Sequence, residues 1–106
     1  MKFKITDKEK ELLLKFKNSS YPSIYKTDNT DNILFIEMVD FDVCTYLLKG
    51  TQINEQIIEE IVKSYKKFLL QIKLDSFDDY ALAHYKNVLE IMKIFEKYYD
   101  VKDTSH

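Results

Sequence analysis

Apolar residues recur most regularly in the second half of the chain. Ile57, Ile58, Ile61, Val62, Tyr65, Phe68, Leu69 and Ile72 follow three- and four-residue steps and give Asn54–Lys73 one wide apolar face, the pattern of an amphipathic helix. Phe77, Ala81, His84, Val88, Ile91, Phe95 and Tyr98 alternate steps of four and three across Phe77–Tyr99, and Leu82, Tyr85, Leu89, Met92 and Tyr99 widen that seam. Such a seam is coiled-coil-like. Asn54 can cap the first helix, and Ser76-x-x-Asp79 is a capping-box variant for the second. Glu55, Glu59 and Glu60 lie early while Lys63, Lys66, Lys67 and Lys73 lie late. That order complements the helix dipole, and Glu59–Lys63 is a favourable i,i+4 pair. Only Leu74-Asp75-Ser76 separates the two segments, which predicts antiparallel, adjacent helices.

The first half is less regular. Thr6-x-x-Glu9 forms a capping box, and Leu12, Leu13 and Phe16 stripe a helix from Asp7 to about Asn18. Pro22 ends it by disfavouring helix at Tyr21. Residues 3–5 alternate as a short edge strand would. Residues 23–27 and 33–39 are rich in β-branched and aromatic side chains, the composition of strands. Asp28-Asn-Thr-Asp-Asn32 between them consists of turn formers, so a β-hairpin is predicted. Residues 40–50 suit a third strand through Val43, Thr45, Tyr46 and Leu47, although Asp40 or Asp42 could cap a helix that Lys49-Gly50 would end. The expected fold class is α+β. One compact domain over residues 1–100 would pack a small antiparallel sheet of two or three strands on an N-terminal helix and a long C-terminal antiparallel helical hairpin, with a frayed polar tail at 101–106.

Composition narrows the chemistry. With Gly50 as the one glycine, no glycine-rich phosphate cradle can be written. All sixteen basic residues are lysine, so no guanidinium fork recognises phosphate, carboxylate or guanine. Lys, Ile, Asn, Tyr and Phe abound while Arg, Ala, Gly and Pro are scarce, as AT-rich coding would produce. A net charge of −2 brings no bulk attraction to nucleic acid or anionic membrane. Cys44 has no cysteine to pair with, which suits a reducing compartment. The N-terminus lacks a signal-peptide apolar run, and no stretch of 18 apolar residues exists. Cytoplasm is the expected location.

Several constellations invite a functional reading. His84 lies on the apolar seam. It reads either as a general base or as a core-edge histidine bonded to a carbonyl or a tyrosine hydroxyl, the second being the ordinary case. Cys44 would need that histidine to become a nucleophile, and otherwise is a buried thiol. The other histidine, His106, ends the tail, which leaves no two-histidine zinc site. Asp28-x-Thr30-x-Asn32 resembles the start of a calcium loop but puts Ile33 where glycine should turn and Val39 where a bidentate glutamate belongs, so no metal or cofactor is expected. The acids Asp28, Asp31, Glu37, Asp40 and Asp42, beside Tyr25, Phe35 and Phe41, could form an acidic recognition surface for a basic groove. Eight tyrosines suit an interface. Lysines alternating with aromatics in 63–68 form a solvated helix face.

These features favour a small non-enzymatic protein-binding module over a catalyst. It would be an inhibitor, immunity or adaptor protein, of phage or mobile-element origin in a low-GC bacterium, and would act through Tyr25, Asp28, Asp31, Glu37, Asp40 and Asp42. A DNA-binding accessory using the Lys63–Lys67 face is one alternative, and a small enzyme using His84 is another. Leu82, Met92 and Tyr99 leave apolar width that a second copy could cover.

Overall fold

The computed structural model describes residues 2–28 and 30–99, the side chains of residues 27 and 28 excepted. Among the described residues six α-helices follow one another: α1 (Asp7–Lys17), α2 (Ile24–Asp28), α3 (Thr30–Met38), α4 (Cys44–Lys49), α5 (Glu55–Gln71) and α6 (Asp79–Tyr98). A π-turn, Val39–Val43, joins α3 to α4, and a 3₁₀ turn, Leu74–Ser76, lies between α5 and α6. The expected tail at 101–106, with His106, lies outside the described residues.

Among the described residues there is no strand, and the α+β expectation is overturned. Residues 23–27 fall largely in α2, 33–39 in α3 and the start of the π-turn, and 40–50 in the π-turn and α4. β-branched and aromatic enrichment reports a side chain's fit to a half-buried surface more than a backbone preference, and a helix packed against aromatic neighbours supplies such a surface. The turn formers at 28–32 have a second use. Asp, Asn and Thr are also the residues that start helices, and Asp31 sits in the first turn of α3. Residues 3–5 pair with no strand; Phe3 N–H donates to the Gly50 carbonyl at 3.0 Å.

The predicted helices stand, with trimmed ends. Thr6 and Glu9 form the complete capping box, at 3.1 and 2.9 Å. Asn54 caps α5 through the Gln56 N–H at 2.7 Å. Asp78, rather than Ser76, caps α6 through the Ala81 N–H at 2.8 Å. The hairpin is corrected as well. The principal neighbour of α5 is α3, while α6 lies against α1, α4 and the π-turn. The two long helices meet through ring contacts such as Phe68–Tyr85. Ile72, Lys73, Phe77 and Asp78 have extended backbones, so the connection is longer than the three residues expected.

The core is the seam of α6 (Ala81, His84, Val88, Ile91 and Phe95, all buried) set against Leu13 and Phe16 of α1 and a continuous buried row on α3, the π-turn and α4. That row is Asn32, Ile36, Val39, Val43 and Leu47. The row runs on through the π-turn, which holds one more residue per turn than an α-helix. Gly50 ends α4 at φ +63°. A Cβ there would stand 2.0 Å from the Phe3 carbonyl oxygen.

Two expectations follow for urea unfolding. Gly50→Ala should lose roughly 1–3 kcal/mol, combining left-handed backbone strain with the clash; an unchanged midpoint would contradict this. Asn32 is fully buried, with neither side-chain polar atom hydrogen-bonded among the described residues. Asn32→Leu should raise stability by about 1–3 kcal/mol by removing those unsatisfied groups. A drop would show that the amide has a stabilising role.

Candidate functional site

The π-turn is the irregular element of the helical row, and π-turns inside helices often mark functional sites. The Cys44 N–H bonds to the Val39 carbonyl, five residues back. The Asp40 carbonyl, which an α-turn would pair with Cys44, instead accepts from Lys17 Nζ at 3.0 Å. The Asp40 side chain turns inward, is 8 % exposed, and accepts a hydrogen bond from the Tyr21 hydroxyl. Its neighbour Phe41 turns outward and is 63 % exposed. One turn of the chain thus places a carboxylate in the interior and a phenyl ring in water.

Around Asp40 lies a buried polar centre. His84 is 4 % exposed, and its Nδ1 shares a hydrogen bond of 3.2 Å with the Tyr25 hydroxyl. Its ring is packed by Phe16, Tyr21 and Tyr25 at centroid distances of 4.8, 6.1 and 5.4 Å. Burial lowers its pKa to about 4, against a pull upward from the charge of Asp40. Asp40 Oδ1 and His84 Nε2 are buried without a hydrogen-bond partner among the described residues. Burial, together with the hydrogen bond and charge of Asp40, raises the Tyr21 hydroxyl well above the usual phenol range. Burial pushes the Cys44 thiol up to about 12, outweighing the attraction of Lys17. At neutral pH that thiol keeps its proton and is no nucleophile. His84 thus has the tyrosine partner that the ordinary reading of the sequence foresaw.

The six residues singled out by sequence do not stay together. Tyr25 is fully buried against Phe68, Phe77 and His84, and Asp40 is in the polar centre. Neither reaches the surface. Asp28 is the last residue of α2, and its side chain lies outside the described set. Asp31 is exposed and pairs with Lys67 at 2.9 Å. Glu37 and Asp42 are exposed on either side of Phe41 in the chain. Lys63, Lys66 and Lys67 are all exposed. Among the described residues, no group of three or more His, Cys, Asp or Glu could hold a metal ion, and no helix is long and apolar enough to cross a membrane.

A second feature lies between α3 and α5. A groove of about 240 Å³ is lined by Leu34, Phe35, Met38 and Phe68, with Asp31, Ser64, Lys67 and Gln71. Leu34 in the groove wall is 55 % exposed, and Leu70 of α5, which is not among the lining residues, is 88 % exposed. Sequence periodicity carries a signal for Leu70, which falls outside the apolar face of its helix. Comparison with protein-family models, with curated proteins and with solved structures gives no match.

The polar centre predicts a pH dependence. As pH falls through 6.5, the unfolded chain takes a proton on residue 84, whereas the folded chain does so only near 4. The unfolded state therefore binds more protons in this window, and stability declines as pH drops from 6.5 to 4, by roughly 3 kcal/mol at most, at about 1.4 per unit. Glu9 titrates lower. Burial raises its pKa, but bonds from Tyr98, the Thr6 N–H and Lys97 outweigh burial and bring it to about 2, so its stability contribution is lost only below about 4.5. Urea unfolding from pH 6.5 to 4.5 should slope in the native protein and flatten in His84→Gln. An identical slope in both would assign the dependence elsewhere.

Proposed function

We propose that this protein is a small non-enzymatic binding module, of the inhibitor, immunity or adaptor kind, that docks a basic groove on a partner protein through an acidic, aromatic surface centred on Phe41. The observation that carries this reading is the 63 % exposure of Phe41 between the exposed acids Glu37 and Asp42. An aromatic ring in water is a ready anchor for a partner's pocket. Flanking carboxylates would orient and speed encounter with a basic surface. The backbone next to the ring is tied to the rest of the molecule. Tyr21 and Lys17 fix the side chain and carbonyl of Asp40, the residue just before it. A pre-set anchor loses less freedom on binding.

Immobilised protein, exposed to lysate of the native host with quantitative mass spectrometry, would nominate a partner for titration. Phe41→Ala should weaken that purified pair about 10- to 100-fold. Glu37→Lys combined with Asp42→Lys should weaken it further and remove most of its salt sensitivity. Melting temperatures should stay within about 2 °C, since all three side chains are exposed. Unchanged affinity in these variants would overturn the reading.

A further inference from the structure

Two atoms of the buried polar centre, His84 Nε2 and Asp40 Oδ1, take no hydrogen bond from the described residues. We infer that an internal water molecule binds between them, accepting from His84 Nε2–H and donating to Asp40 Oδ1. That water makes His84 a positioning residue for the π-turn.

Shared neighbours bring the two residues together. Tyr21 donates its hydroxyl to Asp40 Oδ2 and sets its ring edge-on to the His84 ring at 6.1 Å. At the end of α1, the Phe16 ring lies 4.8 Å from the His84 ring, and the next residue, Lys17, bonds the Asp40 carbonyl at 3.0 Å. α6 itself packs on the π-turn. The charge of Asp40 is felt at His84, where it pulls the pKa upward against burial. Asp40 and His84 are only 8 % and 4 % exposed, yet they make no direct hydrogen bond to each other. A buried polar atom left dry carries its full desolvation penalty, and polar pairs beyond direct reach are commonly closed by one water.

The histidine tautomer supplies the donor. The hydroxyl of the fully buried Tyr25 lies 3.2 Å from His84 Nδ1 and has no other acceptor among the described residues. It therefore donates to Nδ1, which leaves the ring proton of the neutral imidazole on Nε2. The negative charge of Asp40 favours the same tautomer. An N–H donor facing a carboxylate acceptor matches water, which accepts and donates at once. A cation would meet the Nε2 proton, and an anion would meet the carboxylate. Two bonds lie within the range of two to four that internal waters make. The result is a continuous chain of hydrogen bonds from Tyr25 through His84, water and Asp40 to Tyr21. Its ends are four residues apart in sequence, and it ties α6 to the inward side of the π-turn. The inference does not depend on the docking surface around Phe41.

Two measurements need only the native protein. Long-range proton–nitrogen spectra at neutral pH should show His84 protonated at Nε2 and bare at Nδ1. A high-resolution crystal structure should place one ordered water within about 3 Å of both His84 Nε2 and Asp40 Oδ1. Variants test what the water does. The amide nitrogen of His84→Gln reaches the Nε2 position, whereas His84→Leu has no donor. The Cys44 N–H, bonded to the Val39 carbonyl across the π-turn, should exchange with solvent at least about 10-fold faster in His84→Leu than in His84→Gln. Urea midpoints of His84→Leu, Asp40→Leu and the double variant should be non-additive, the double shift being smaller than the sum of the single ones. A proton on Nδ1 in place of Nε2, a direct His84–Asp40 bond, an ion or no water at that place, equal Cys44 exchange in the two His84 variants, or additive midpoints would overturn the inference.

Discussion

Asp40 has been taken out of water, and the segment around it is arranged by that constraint. A buried carboxylate is costly unless it is paired and hydrogen-bonded. Here the Tyr21 hydroxyl meets the side chain, and Lys17 reaches the adjacent carbonyl from the end of α1. The π-turn makes these bonds geometrically possible. Its extra residue lets Asp40 point inward while Val39 and Val43 remain in the core row. The same turn delivers Phe41 to solvent and carries Cys44 into the interior. Local backbone irregularity, an internal charge and an external ring are therefore one feature.

The helices that could be read from sequence were those in which several independent signals coincide. α1, α5 and α6 have caps, charge order and a clear apolar period, and each forms within two residues of its expected ends. α3 has no such agreement. Ile33, Leu34, Phe35 and Ile36 are consecutive apolar residues, so neither a helical nor a strand period stands out. Only packing decides that Phe35 and Ile36 go inside and Leu34 does not. The turn formers before α3 are ambiguous for a physical reason: a side-chain oxygen that stabilises a turn also caps a helix. The two long helices meet through Phe68 and Tyr85, but the connection between them extends before α6 begins and each has other principal neighbours.

The site was legible in part. Glu37, Phe41 and Asp42 were drawn from an acid-rich, aromatic stretch and do lie at the surface. Tyr25 and Asp40 came from the same stretch and are buried, because composition reports which residues are near one another but not which way they face. The Tyr25–His84 bond joins positions 59 residues apart. Local pattern could show that His84 sits on a core seam. It could not show which hydroxyl would meet it.

Glu9 has a consequence for how the molecule comes into being. Its carboxylate completes the cap of α1, and it also accepts from Lys97 Nζ at 3.0 Å and from the Tyr98 hydroxyl at 2.6 Å, positions 88 and 89 residues away. Phe3 stacks on Tyr98 at 4.7 Å and meets Tyr99 edge-on at 5.1 Å. A segment made early is thus fastened by residues 88 and 89 positions further along the chain. During translation α1 can form its own cap and meet α4 and the π-turn, but its bonds to Lys97 and Tyr98 form only once those residues have left the ribosome.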